Sequence, residues 1–137
     1  MEHRLTTDEI AYFYDLVYKY EHESHAGYKD DDVVKKLEHD VTLDDNYERN
    51  GNITDTIENT LKFSPYQNNK CWAILHHVRN AFAHGNIQSV DDDKLFFIQD
   101  FSDKSKRQKC NMLTKIEKDK FYKLVDTINL TRKHNNK

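Results

Sequence analysis

Residues that interrupt regular structure are scarce in this chain, which has one proline and three glycines in 137 residues. Because proline and glycine are the residues that most often end helices, their scarcity favours long helices. Charged residues make up 33% of the chain, a proportion that leans toward disorder. However, seven phenylalanines, eight tyrosines and one tryptophan are too many aromatic residues for a chain that never packs. We therefore expect one folded, helix-rich domain over residues 1–137.

Several protein classes are disfavoured by the sequence. No apolar run approaches the roughly 20 residues that span a bilayer, and the N-terminus lacks the apolar core and cleavage site of a signal peptide. We expect a cytoplasmic protein with no membrane partner. Cys71 and Cys110 show no CxxC spacing, which favours two isolated thiols in a reducing compartment over a disulfide or a metal pair.

The formal net charge of −3 conceals an uneven distribution along the chain. Residues 1–58 contain 6 basic and 16 acidic residues, whereas residues 102–137 contain 11 basic and 4 acidic ones. Between them, residues 59–101 contain 4 of each sign. The net charge alone therefore does not argue against a nucleic-acid partner.

Start signals and apolar spacing predict helices in the first half of the chain. Thr6 and Glu9 have the spacing of a capping box, which predicts a first helix that runs to about Glu23. A second helix is predicted over residues 30–40, and a third helical segment over residues 54–63. The apolar residues at helical spacing in these segments are Ile10, Phe13, Tyr14, Val17, Tyr18, Val33, Val34, Leu37, Ile57, Leu61 and Phe63.

A long helix is predicted next, over residues 65–84. Ser64 followed by Pro65 is typical of an N-cap and the first helical position, and Gly85 supplies a C-terminal stop. After it, residues 87–90 and 94–101 are separated by three aspartates, Asp91 to Asp93, which predicts a β-hairpin. Residues 107–113 are compatible with a third strand or a loop.

A last helix is predicted over about residues 115–132, because Thr114 and Glu117 have capping-box spacing. Its inward face is formed by Phe121, Leu124, Val125, Ile128 and Leu130. The predicted fold class is therefore all-α: a bundle of four to five helices with a small β insertion, over about residues 86–113, before the last helix.

The helix over residues 65–84 is predicted to have two different faces at about 100° per residue. The apolar face contains Cys71, Ile74, Leu75, Val78, Ala81 and Phe82, and the opposite face contains His76, His77, Arg79, Asn80 and His84. In addition, the 32 residues from Asn59 to Val90 include no aspartate or glutamate. A cationic face without carboxylates suits an anion such as phosphate.

Plainer interpretations of these residues remain open. Arginine, asparagine and histidine meet on a helix surface by chance fairly often, and His76 and His77 are more commonly packing or surface residues than ligands. A zinc site formed by Cys71, a histidine of the pair and His84 would lack a fourth ligand. We therefore expect no metal and no other cofactor.

The segment Arg79-Asn80-Ala81-Phe82-Ala83-His84 resembles the signature of the HEPN superfamily, in which an arginine and a polar residue precede a histidine. Four residues separate Arg79 from His84. The resemblance extends to a HEPN-like helical bundle with the motif near the end of a long helix. It implies a metal-independent endoribonuclease of a toxin–antitoxin, abortive-infection or related defence system. It also implies a homodimer in which two motifs form one composite active site.

The resemblance implies a role for each motif residue. The 2′-OH of RNA supplies the nucleophile, and the products are a 2′,3′-cyclic phosphate and a 5′-OH. His84 is the general base or the general acid, Arg79 holds the scissile phosphate, and Asn80 orients the phosphate or His84. Lower-ranked candidates for contacts with the substrate are His76, His77, Lys70 and Asn86.

One position departs from a branch of the superfamily in which a tyrosine two residues after the histidine is modified to silence the toxin. Here that position is Asn86, so control by a binding antitoxin or another defence-system partner is favoured. Two alternatives to catalysis remain open. One is a non-catalytic module that binds a nucleotide or a partner, and the other is a structural dimerisation domain.

Overall fold

A computed structural model describes residues 4–22, 30–48, 51–102 and 109–135. It contains four helices and five strands in that part of the chain. In chain order they are α1 (Thr7–His22), α2 (Asp30–Leu37), β1 (Thr42–Asp44), β2 (Thr60–Phe63), α3 (Lys70–Ala83), β3 (Ile87–Val90), β4 (Leu95–Ser102), β5 (Lys109–Glu117) and α4 (Lys118–Asn135).

The five strands form one mixed sheet, so the predicted all-α bundle is wrong. The strand order is β1-β2-β5-β4-β3. β1 pairs with β2 in parallel, and the other three pairs are antiparallel. The hairpin of β3 and β4, which the sequence predicts, is therefore one edge of a larger sheet.

The helix prediction is wrong at β2 and at the end of β5, whereas residues 109–113 of β5 agree with the third strand that was one of two alternatives for residues 107–113. Residues 54–63 were predicted to be helical, yet Thr60–Phe63 is a strand whose residues alternate between half-buried and buried. Thr114 and Glu117 lie in β5 and open no helix. Thr114 donates a hydrogen bond to the carbonyl of Thr60 at 2.8 Å, a contact across 54 positions that local spacing does not reveal.

The start of α3 also differs from the prediction. Ser64 is buried directly after β2, and the helix begins only at Lys70. Its N-cap is Asn69, whose side-chain oxygen accepts a hydrogen bond from the N–H of Trp72 at 2.8 Å. Asparagine is among the preferred N-cap residues, so the sequence contains the correct N-cap signal five residues after Ser64.

The main core lies between the helices and one face of the sheet. Ile74 and Val78 of α3 are fully buried together with Phe96 and Ile98 of β4. Phe13 of α1 contacts α3 and the sheet through stacked and edge-on rings. Its ring centroid lies 5.7 Å from that of Phe82 and 5.2 Å from that of Phe96. The face of α3 opposite this core is thereby left at the surface.

A second, smaller cluster covers the other face of the sheet. Residues adjacent in a strand point to opposite faces, so Leu113 faces away from Met112 and from the main core. Leu113 packs with Cys110 and with Ile53, which precedes β2 in the chain. The long connection from β1 to β2 thus shields the sheet from solvent.

The cap predicted for the first helix is confirmed, and the inward face predicted for the last helix is confirmed at four of five residues. The capping box of α1 is confirmed, because the N–H of Thr6 donates to Glu9 at 2.9 Å and the N–H of Glu9 donates to Thr6 at 3.1 Å. In α4, four of the five residues predicted to face inward are buried: Phe121, Leu124, Val125 and Ile128. Leu130 is exposed.

No helix in these four described ranges is long and apolar enough to cross a membrane.

The turn of the hairpin uses the aspartates predicted for it. Asp91, Asp92 and Asp93 have φ values of 52°, 55° and 64°, in the left-handed region that aspartate tolerates better than most residues. Ser89 donates a hydrogen bond to Asp93 at 3.0 Å. The aspartate triplet thus has a structural role in closing the hairpin.

Candidate active site

The motif occupies the second half of α3 and the turn that follows it. Arg79, Asn80 and His76 are half-buried and lie on the face of α3 opposite Val78 and Ala81, which are fully buried. Burial of one face therefore presents the polar residues of the other at the surface, as the helical spacing predicts.

Asn80 is the centre of a hydrogen-bond network. Its side-chain oxygen accepts a hydrogen bond from Nη1 of Arg79 at 3.0 Å. Its amide nitrogen donates to Nε2 of His76 at 3.3 Å and lies 3.5 Å from a carboxylate oxygen of Asp100. Because both ends of the amide are bonded, its orientation is determined, and Asn80 holds Arg79 and His76 in relation to each other.

Arg79 has a second partner on another helix. Its Nη2 donates to Oε2 of Glu21, in the last turn of α1, at 3.1 Å. The side chains of Arg79 and Glu21 are 36% and 44% exposed, so the pair lies at the surface, where a substrate can reach it.

His76 is held by hydrogen bonds and by stacking. Since its Nε2 accepts from Asn80, the ring carries its proton on Nδ1 and donates it to the hydroxyl of Tyr20 at 2.8 Å. Its ring lies parallel to that of Tyr66, with a centroid distance of 3.7 Å. His76 thus supports the network through both ring nitrogens and its ring face.

His77 was expected on the open face, but the structure buries it. Only 4% of the residue is exposed. Nε2 donates to the carbonyl of Ser64 at 2.8 Å, and Nδ1 donates to the carboxylate of Asp100 at 2.6 Å. Each ring nitrogen faces an acceptor, so hydrogen bonds to Ser64 and to β4 hold His77 in the core. It is not accessible to a substrate.

His84 is the C-cap of α3 and is exposed. The turn around it is a Schellman motif, in which the N–H of Asn86 donates to the carbonyl of Ala81 at 2.8 Å and the N–H of Gly85 donates to that of Phe82 at 3.1 Å. Gly85 has a φ of +72°, a conformation that glycine adopts without strain. This turn places His84 at the end of the helix that carries Arg79.

Lys70 lies far from the motif. It is the first residue of α3, and nine residues at 1.5 Å each separate it from Arg79 by about 14 Å along the axis. Lys70 lines a groove of about 300 Å³ together with Tyr66 and Asn68. Asn86, the other flanking candidate, is half-buried in the turn after His84.

The structure adds carboxylates to a region that lacks them in sequence. Glu21 and Asp100 lie outside the acid-free stretch but contact Arg79 and Asn80 through tertiary packing. Tyr20 and Tyr66 were likewise missed. Tyr20 lies 56 positions from its partner His76, so local spacing gave no signal for it. The expected carboxylate-free face is therefore wrong at the level of the folded chain.

A broad groove adjoins the C-terminal end of the motif. It has a volume of about 520 Å³ and is lined by residues that include Leu5, Phe82, Gly85 and Gln88. Beside it, α1 exposes large apolar side chains at every fourth position: Ile10, Tyr14 and Tyr18.

The described residues contain no group of three or more histidine, cysteine, aspartate or glutamate side chains that could hold a metal ion. Both cysteines are buried, and they are not joined in a disulfide. Burial raises the pKa of Cys110 to about 11, and its thiol donates a hydrogen bond to the carbonyl of Met112 at 2.9 Å. A thiol in this environment is unreactive at neutral pH.

In comparison with known proteins, a family model described as HEPN pEK499 p136 matches residues 10–136. No curated protein and no solved structure matches the chain significantly. The family match covers the motif, the sheet and all but the first residues of α1.

Proposed function

The chain belongs to the HEPN pEK499 p136 family, and from this membership we propose that it is a metal-independent endoribonuclease of a toxin–antitoxin, abortive-infection or related defence system. HEPN domains are often ribonucleases, and the family is one of nuclease or defence-associated modules. The observation that carries the proposal is the arrangement at the end of α3. There, Asn80 holds Arg79 at the surface, and His84 lies exposed on the turn that follows.

The proposed reaction needs no metal, because RNA supplies its own nucleophile. The 2′-OH attacks the adjacent phosphorus, the bond from phosphorus to O5′ breaks, and the products are a 2′,3′-cyclic phosphate and a 5′-OH. Arg79 binds the scissile phosphate and stabilises the negative charge that develops in the transition state. Its guanidinium has five N–H donors, of which the bonds to Glu21 and Asn80 use one each.

Proton transfer is assigned to His84. Histidine is the side chain that most often accepts or donates a proton near neutral pH. Its exposure at the C-cap leaves it accessible to RNA. Asn80 is a positioning residue, since it contacts Arg79 directly, and His76 supports Asn80 from behind.

We also propose that two copies form a composite site, in which a second Arg79 and His84 complete the set of catalytic groups. The exposed apolar side chains of α1 beside the motif favour contact with another protein surface. An antitoxin or another defence-system partner is proposed to control the activity. Control by modification of a tyrosine would require that tyrosine two residues after His84, where this chain has Asn86.

The test is cleavage of total RNA by the purified protein, with and without EDTA. Arg79→Ala and His84→Ala are each expected to lower the rate by at least about 100-fold, and EDTA is expected to have no effect. His39→Ala, which removes another exposed histidine, is the matched control and should cleave at the wild-type rate. Wild-type activity in His84→Ala would contradict the proposal. RNA binding without cleavage by the wild type would instead support a non-catalytic binding module.

A further inference from the structure

Glu21 contacts the arginine of the motif from a different helix. Its Oε2 lies 3.1 Å from Nη2 of Arg79, whereas the family signature is confined to residues 79–84. An exposed ion pair of this kind contributes little to stability. A carboxylate beside the proposed phosphate site also repels the phosphate and so weakens binding of RNA. The position of Glu21 is therefore explained neither by folding nor by substrate affinity.

The arrangement leaves room for a phosphate on the same guanidinium. Arg79 uses one N–H toward Glu21 and one toward Asn80, and its remaining donors can form the paired hydrogen bonds typical of arginine and phosphate. A phosphate bound there shares the guanidinium with the carboxylate of Glu21. A carboxylate, which accepts protons, thus lies 3.1 Å from the guanidinium that would hold the phosphate attacked by the 2′-OH.

The surroundings of Glu21 differ from those of the other carboxylate in the network. Asp100 is 3% exposed and bonded to His77, so it cannot approach a ribose. The Glu21 side chain is 44% exposed. Of these two carboxylates, only Glu21 is accessible to RNA.

Building on the proposed function, we propose that Glu21 is a further catalytic residue, the general base that accepts the proton of the 2′-OH. In this step the 2′-oxygen forms a bond to phosphorus as its proton passes to the carboxylate of Glu21. The bond from phosphorus to O5′ breaks, and O5′ receives a proton from the imidazolium of His84. His84 is thereby assigned as the general acid, and no oxidant, reductant or metal is needed.

The experiment measures single-turnover cleavage of a short RNA and of the same RNA with sulfur in place of the bridging O5′. A thiolate leaves without protonation, because the pKa of a thiol, about 8.5 for cysteine, is far below that of an alcohol. The His84→Ala protein should therefore cleave the unmodified RNA slowly and cleave the RNA with the bridging sulfur at close to the wild-type rate. Glu21→Gln should be slower by about 100-fold or more on both substrates.

The controls separate the chemistry from the fold. Glu21→Asp retains a carboxylate and should keep part of the rate. Asp15→Asn removes an exposed carboxylate of the same helix, which pairs with Lys19 at 3.1 Å, and should leave the rate unchanged. All three variants should unfold at the wild-type temperature within a few degrees, since both ion pairs are exposed.

Three results would overturn the assignment of Glu21. The first is a wild-type cleavage rate for Glu21→Gln. The second is a return of Glu21→Gln to the wild-type rate on the RNA with the bridging sulfur. The third is tighter binding of RNA by Glu21→Gln with an unchanged maximal single-turnover rate. The last result would mean that Glu21 only competes with the phosphate for Arg79. In each case the wild type still cleaves RNA, so the proposed function survives. Absence of cleavage by the wild type would contradict the proposed function itself.

Discussion

Asn80 connects the exposed and the buried parts of the site at the scale of single residues. On the exposed side it accepts a hydrogen bond from Arg79. On the buried side its amide nitrogen lies beside Asp100, which pairs with His77. His77 and Asp100 are both almost fully buried. Their hydrogen bond connects β4 to α3 beside Asn80, the residue that holds Arg79.

The sequence identified Arg79, Asn80 and His84 because they lie within six positions of one helix and its cap. It did not identify Glu21 or Asp100, which lie 58 and 20 positions from their partners. Helical spacing also placed His77 on the open face, whereas the packing of β4 against α3 buries it. Residues that act through tertiary contacts are not accessible to local patterns.

Replacing Asp100 with asparagine should destabilise the protein by about 2 kcal/mol, because it weakens the buried hydrogen bond to Nδ1 of His77. Urea unfolding of the wild type and the variant, monitored by circular dichroism, measures the free energy of unfolding.

Asp91→Asn is the matched control for this experiment. Asp91 is exposed in the hairpin turn with a φ of 52°, which asparagine also tolerates, so its effect should stay within about 0.5 kcal/mol. An Asp100→Asn protein as stable as the wild type would show that the pair with His77 contributes nothing to the fold.

At the scale of elements, two segments with the same capping-box pattern have different structures. Thr6 and Glu9 cap α1 as predicted, whereas Thr114 and Glu117 belong to β5. The backbone N–H of Glu117 donates to the side chain of Asn59 at 2.9 Å. Pairing with β2 and β4 thus decides the structure of the second segment. The pattern is reliable only where no neighbouring strand competes for the same residues.

Glu9 also joins α1 to the start of α4. Its carboxylate accepts a hydrogen bond from Nζ of Lys118 at 2.6 Å. Burial by itself would raise the pKa of Glu9, but the hydrogen bonds from Lys118 and Thr6 outweigh it, and the net pKa lies below the ordinary value. One carboxylate therefore caps a helix and contacts the first residue of another.

Glu9→Gln should cost about 2 kcal/mol at pH 7, since it weakens the cap and the bond to Lys118. Because the folded pKa is lower than the unfolded value of about 4.3, this stabilisation is complete above about pH 4.3 and is lost as the pH falls through the folded pKa. Urea unfolding at pH 7, 5 and 3 should therefore show a difference between the two proteins that shrinks at pH 3. Glu58→Gln, at an exposed position outside the helices, should show no such trend. A constant difference across this range would refute the assigned role of the Glu9 charge.

At the scale of the whole molecule, the described residues form a five-stranded mixed sheet with four helices and not a helical bundle. A scarcity of glycine and proline argues against a sheet only if the turns between its strands must be made of those residues. Here the turn of the β3–β4 hairpin uses aspartates with positive φ, and β1 and β2 are parallel. The sheet is therefore compatible with the composition, but the numbers of glycine and proline could not predict it.

The proposed composite site predicts complementation between inactive variants. Arg79→Ala and His84→Ala should each be inactive alone, whereas a mixture that exchanges subunits should recover part of the activity. The mixed dimer holds one intact Arg79 and one intact His84 across its interface. RNA cleavage by the mixture is the measurement, with native mass spectrometry to establish the dimer. A monomeric mass together with no recovery would contradict the composite site.

The central claim is that the motif of α3 cleaves RNA through the 2′-OH without a metal. The most direct measurement is mass spectrometry of the fragment ends after a defined RNA is incubated with the wild-type protein in EDTA. We predict 2′,3′-cyclic phosphate and 5′-OH ends that are absent when His84→Ala replaces the wild type. Fragments with 3′-OH and 5′-phosphate ends, or the same cyclic ends produced at the wild-type rate by His84→Ala, would contradict the claim.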